Sequence, residues 1–201
     1  ELAAALAGWS RNPTDDEFMP ARAELLQAMT RFDLHSGPWQ VPHPHRAFSL
    51  TANAFRLGVP LTVHPGIGYD IAYNHPIANG AILGRGAGLD YQVFAAGVGQ
   101  LEGGVFLSVG SAIMAPQVFE KALSIANDLR LQEGQEILRP YIAVNDLAQL
   151  SWDWSKGEPP QSDPAYYLRF CKSFSRMGGE LSYLGGDNRV LLQNLWHLLR
   201  R

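Results

Sequence analysis

The sequence predicts an α/β protein in which a mostly parallel sheet carries helices on both faces. Three observations predict it. From residue 47 onward, apolar residues at helical spacing alternate with short apolar runs, giving helix and strand in turn to the end of the chain. The runs at Val59–Val63, Val105–Val109 and Tyr141–Val144 have strand length and a high content of valine and isoleucine. Each closes on glycines or polar residues, which a parallel sheet would gather along one rim.

Before residue 47 the pattern is different. Leu2–Ala7 reads as part of a helix ending at Gly8, and the opening Glu1 without an initiator methionine suggests a fragment or a processed chain. Thr14-Asp15-Asp16-Glu17 has capping-box spacing, and Ala21, Leu25, Ala28, Met29 and Phe32 follow at helical period. Asp33–Arg46 holds three prolines and three histidines with no period, so it reads as a loop. Residues 1–46 are therefore expected to form a helical segment with a Pro/His-rich loop, and residues 47–201 the α/β domain.

Within that domain Ala47, Leu50, Thr51, Ala54 and Phe55 predict a helix, with Gly58 as its left-handed C-terminal residue. The strand Val59–Val63 follows, closed by His64-Pro65-Gly66-Ile67-Gly68-Tyr69-Asp70. Glycines at 80, 84, 86 and 88 make Ile71–Gly88 a loop-rich stretch, after which Asp90 is expected to cap a helix to Leu101. Val105–Val109, bounded by glycines, predicts a strand buried on both faces. Gly110–Ala115 is then a loop, and Pro116 opens a helix to Arg130 whose stripe is Val118, Ala122, Ile125 and Leu129. Pro140–Asp146 is the next strand. Leu147–Pro164 is long and irregular and contains Trp152–Pro160, which reads as a lid with stacking surface, as a rigid surface loop packed by its tryptophans, or as a subunit contact. Tyr167, Phe170, Cys171, Phe174 and Met177 mark a helix stopped by Gly178-Gly179. Glu180–Leu184 is a short strand. Gly185-Gly186 turns the chain, Asp187 or Asn188 caps, and Leu191, Leu192, Leu195, Trp196 and Leu199 form the final amphipathic helix.

Composition narrows the function classes. A 201-residue chain that is 46% hydrophobic and 17% charged is ordinary for a globular protein. A net charge of −3 gives no excess of cations for a phosphate backbone, so nucleic acid is not an expected partner. The single cysteine, Cys171, excludes an intrachain disulfide framework and reads as core. No apolar run approaches about 18 residues, so the expectation is a reduced, cytoplasmic protein outside the membrane.

Chemistry is expected where the strands end, at His64–Asp70, Ser108–Ser111 and Asn145-Asp146. Glycine admits close backbone approach, Ser111 offers a hydroxyl, a helix start supplies free N–H groups, and Asp70 or Asp146 would accept from ribose hydroxyls. The same glycines also suit tight turns, and no complete dinucleotide fingerprint is present. His43, His45, His64 and His75 raise a metal-dependent hydrolase as an alternative, although no carboxylate stands at a metal-motif spacing and no metal ligand set is assigned. His64 is the candidate general acid or base, and Lys156 the candidate nucleophile.

Taken together, Val59–Asp70, Gly103–Ser111 and the Val144–Pro160 segment resemble the deoxyhypusine synthase-like proteins, and more closely an uncharacterised bacterial branch of that group. The resemblance covers roughly residues 47–201. It implies a Rossmann-like sheet binding NAD across its strand ends, in a homo-oligomer, dimer or tetramer, with sites between subunits. It also implies that Gly66, Gly68, Asp70, Gly110, Ser111, Asn145 and Asp146 reach the cofactor. Two departures set the chain apart. Ala112–Gln117 replaces the histidine-rich segment of true deoxyhypusine synthases, and Pro164–Phe170 lacks their catalytic lysine. The expectation is therefore a nucleotide-binding protein acting on a small polar substrate, with deoxyhypusine synthesis itself not expected. A non-catalytic nucleotide-binding or assembly protein is the other reading.

Overall fold

The computed structural model describes residues 1–13 and 16–201, and all side chains among them except those of Arg169 and Phe170. The capping box expected at Thr14-Asp15 and the core role expected of Phe170 lie outside what is described. Contacts divide the chain into two compact units, Glu1–Val93 and Phe94–Arg201, so residues 47–93, expected within the α/β domain, belong with the amino-terminal part.

In the first unit α1 (Leu2–Arg11) packs against α2 (Met19–Arg31). Only Met19 and Ala28 are buried hydrophobics among its described residues. Asp16 accepts from the Phe18 N–H at 2.9 Å and pairs with Arg22 at 2.7 Å, which ties down the start of α2. Helix α3 (Leu50–Leu57) is capped as its sequence predicts. The Ser49 hydroxyl accepts from the Ala52 N–H, and Gly58 at φ 65° takes the left-handed position beyond the last turn.

Two expectations fail in this unit. Val59–Val63 has no regular secondary structure and lies in no sheet; the Val63 N–H is met by the Asp90 carboxylate at 2.8 Å instead of by a neighbouring strand. And α4 (Gly80–Val98), which runs across the division between the units, starts ten residues before the expected cap at Asp90. Its first turn is capped by Asn79, whose Oδ1 accepts from Ala81 at 2.9 Å and Ile82 at 3.1 Å, and whose amide also bonds Glu24. That cap and the apolar residues between the glycines outweigh a cost of about 1 kcal/mol per helical glycine.

The second unit is α/β. Strands β1 (Val105–Val109), β2 (Tyr141–Asp146) and β3 (Glu180–Gly185) form a parallel sheet in the order β1-β2-β3. Helix α5 (Met114–Gln132) crosses from β1 to β2, the segment holding α6 (Arg169–Ser175) crosses from β2 to β3, and α7 (Asn188–Leu199) follows β3 and packs against β2. Pro116 lies in the first turn of α5, where its missing N–H leaves no helical bond unmade. Phe106, Ile142 and Leu181 stand in one row across the sheet, under α5 and α6. Phe106 stacks on Phe119 of α5 with ring centroids 3.8 Å apart, and Phe174 of α6 closes the cluster at 5.7 Å from Phe106. Phe119, Phe174, Ile142 and Val144 are sealed from solvent, each aliphatic or aromatic side chain stabilising the fold by roughly 1.5–3 kcal/mol.

β1 is not the doubly buried strand its glycine-bounded run predicts. It forms an edge of the described sheet, and Val105 is 59% exposed. The central position falls to β2, whose Ile142 to Asn145 are all buried. Among the described residues no helix is long and apolar enough to cross a membrane.

Candidate functional site at the carboxyl ends of the strands

The carboxyl end of the sheet brings together Gly110 after β1, Asn145-Asp146 in β2, and Gly185, the last residue of β3, with Gly186-Asp187-Asn188 after it. Gly110 is demanded twice over. Its φ is 64°, and a Cβ there would stand 2.5 Å from the Asn188 side-chain nitrogen. Its N–H donates to the Asn145 carbonyl at 3.1 Å, continuing the β1–β2 ladder one residue past β1. Ser111 Oγ accepts from the Ala115 N–H at 3.0 Å, so this hydroxyl serves the start of α5.

Asn145 is 3% exposed and its amide nitrogen bridges to the carbonyls of Leu184 at 2.7 Å and Gly186 at 3.4 Å. Its Oδ1 is buried without a partner, as are the Asn188 Oδ1 and the Ser108 hydroxyl two residues before Gly110. A buried polar atom left unpaired costs about 1–3 kcal/mol, so three of them on these strand ends require an explanation. Both asparagine atoms are acceptors in this arrangement. Each would be satisfied by an O–H or N–H donor, whether from an ordered water or from a bound molecule.

Asp146 accepts from the Ala148 N–H at 3.1 Å through Oδ1. Burial, followed by the nearby Asp146 charge, pushes the Cys171 thiol up to about 12 and the Tyr183 phenol up to about 12. The phenol donates to the Ala148 carbonyl at 2.7 Å. Neither group supplies an anion near neutrality, which agrees with the core role expected of Cys171.

The remaining sequence candidates take other places. Gly66, Gly68 and Asp70 build a turn in the first unit: the Asp70 N–H bonds the Gly66 carbonyl at 3.1 Å, Gly68 has φ 92°, and Asp70 Oδ1 caps the short 3-10 turn Ile71–Asn74 through the Ala72 N–H. A Cβ on Gly66 would run into the Tyr69 ring. His64, half-buried, shares a hydrogen bond at 3.0 Å with the Thr62 hydroxyl. None of these residues ends a strand, so the rim has a different third member, Gly185–Asn188. The signal for it was present as four small or polar residues after an apolar run, but it reads equally as a turn and a helix cap. Among the described residues no three His, Cys, Asp or Glu side chains converge, so His43, His45, His64 and His75 do not form a metal cluster.

In Trp152–Pro160 the tryptophans pack the segment down. Trp154 is buried within a 3-10 turn that packs on β3, and Trp152 Nε1 donates to the Gly157 carbonyl at 3.0 Å. Glu158 reaches α6 and the residue after it, meeting Lys172 at 2.6 Å and Arg176 at 2.5 Å. Lys156 is 70% exposed and pairs with Asp153 at 3.6 Å, without the burial that a nucleophilic amine requires. No protein-family model, no curated protein and no solved structure matches this chain.

Proposed function

We propose that the chain is a nucleotide-binding protein, with NAD the first candidate, and that the ligand sits at the carboxyl ends of β1, β2 and β3 in a Rossmann-like manner. The observation that carries this reading is the set of unpaired buried oxygens of Ser108, Asn145 and Asn188 around Gly110, where the Asn188 side chain closes on the glycine backbone. A ribose edge gives the two asparagine acceptors the hydroxyl donors they lack, and strand ends of a parallel sheet are where such ligands bind. The likeness of Gly103–Ser111 to deoxyhypusine synthase-like proteins points the same way. Gly110, Asn145 and Asn188 are the binding residues of this proposal, with Asp146 and Ser111 at its margin.

A second reading, binding without turnover, is favoured by the state of the reactive groups. Cys171 and Tyr183 are held protonated, and Lys156 is solvated and ion-paired. Calorimetry of the full chain with NAD, NADH and adenine nucleotides tests the proposal. Saturable heat is expected, weakened at least tenfold by Asn145→Leu. No heat at millimolar nucleotide overturns it. Binding without any conversion of substrate or cofactor selects the non-catalytic reading.

A further inference from the structure

The sequence Pro42-His43-Pro44-His45-Arg46 shapes a second feature, contained entirely within the first unit. Pro42 and Pro44 fix their own φ angles, and Pro44 also holds His43 in extended geometry. The chain then turns sharply: the His43 carbonyl accepts from the Arg46 N–H at 3.1 Å and the His45 carbonyl from the Phe48 N–H at 2.9 Å. This turn lays the histidines and the arginine against the first turn of α3, around a cavity of about 600 Å³. Ser49 and Thr51 line it, their hydroxyls 2.9 Å apart, and Phe55 with the two prolines gives it an apolar wall.

The polar lining has one sign. No carboxylate lines the cavity, and among the described residues the side chains of His43, His45 and Arg46 make no hydrogen bond or ion pair. A cation is the wrong occupant, because Arg46 opposes it and no third ligand joins the two histidines. An oxyanion fits. The guanidinium offers a fork of donors, each imidazole an N–H, and the hydroxyls adapt to either role. Three separate donor groups lining one cavity suit the three oxygens of a phosphoryl group better than the two of a carboxylate. The volume exceeds what phosphate alone would fill and lies within the range of small-molecule sites.

We infer that the His43–His45–Arg46 cavity binds a small phosphate ester, its phosphoryl group on the two histidines and the arginine and its apolar or planar body on Phe55. This site is built from residues of the first unit alone. The test uses the full chain with phenyl phosphate and with inorganic phosphate, followed by NMR of the histidine side chains and by calorimetry. Phenyl phosphate is expected to shift the His43 and His45 signals saturably and to bind more tightly than inorganic phosphate. Arg46→Ala should weaken phenyl phosphate at least tenfold. Phe55→Ala should weaken phenyl phosphate severalfold while leaving inorganic phosphate unchanged. Asn145→Leu should change neither, which separates this site from the nucleotide proposal. Absence of saturable shifts at millimolar phenyl phosphate, or affinity indifferent to Arg46→Ala, overturns the inference.

Discussion

The two units hold themselves together by different means. Phe94–Arg201 has an aromatic and aliphatic core in which Phe106, Phe119 and Phe174 join a parallel sheet to two helices. Glu1–Val93 buries Met19 and Ala28 and otherwise relies on polar ties reaching across its segments, such as Asp90 to Val63, Glu24 to Asn79 and Glu17 to Arg85. Apolar burial is non-directional and cooperative, whereas each exposed polar tie adds little by itself. The first unit should therefore open locally, and the second as a whole.

The sharpest challenge to that contrast is Phe119→Ala. Removing a fully buried ring should cost about 3–5 kcal/mol and lower amide protection throughout β1, β2, β3 and α5 together, read by hydrogen exchange. Loss of protection confined to α5 would break the comparison. Ser49→Ala removes the cap of α3 and should cost about 1 kcal/mol. Its effect on exchange should stay within residues 49–59; a spread to α1 and α2 would show the first unit to be more cooperative than its core implies.

The smallest effect is expected at Glu158, an exposed carboxylate held below its ordinary value of 4.5 by the Lys172 ammonium first and the Arg176 guanidinium second. Because the folded value is depressed, this group's stabilisation is present above pH 4.5 and is lost as pH falls through the folded value. Glu158→Gln should flatten that acid limb slightly in a urea midpoint series between pH 3 and pH 6. An unchanged limb would leave the latch on Trp152–Pro160 without energetic content.

Local chemistry made part of this fold legible and pairing hid the rest. β1, β2, β3, α3, α5 and α7 follow from short apolar runs, stripes and caps that lie within a few residues of each other. Val59–Val63 has the composition of a strand, but a strand exists only with a partner, and here Asp90 intercepts the N–H of Val63. The glycines of α4 disguised a helix whose start depends on one asparagine at 79. At the rim, Gly110 and Asn145 were visible because unusual residues end plain strands. Asn188 was not, since its nearness to Gly110 arises from the return of α7 over β2 and no local pattern encodes that.

The approach of Asn188 to Gly110 also sets an order of events. Gly110 emerges before Asn188 in synthesis, and the side chain that confronts it belongs to a helix made after all three strands. Until β3 and α7 are in place, the end of β1 is open and the rim lacks a wall. If the proposed nucleotide site is correct, its affinity should be absent from nascent chains stopped before Asn188 and appear once that helix has formed.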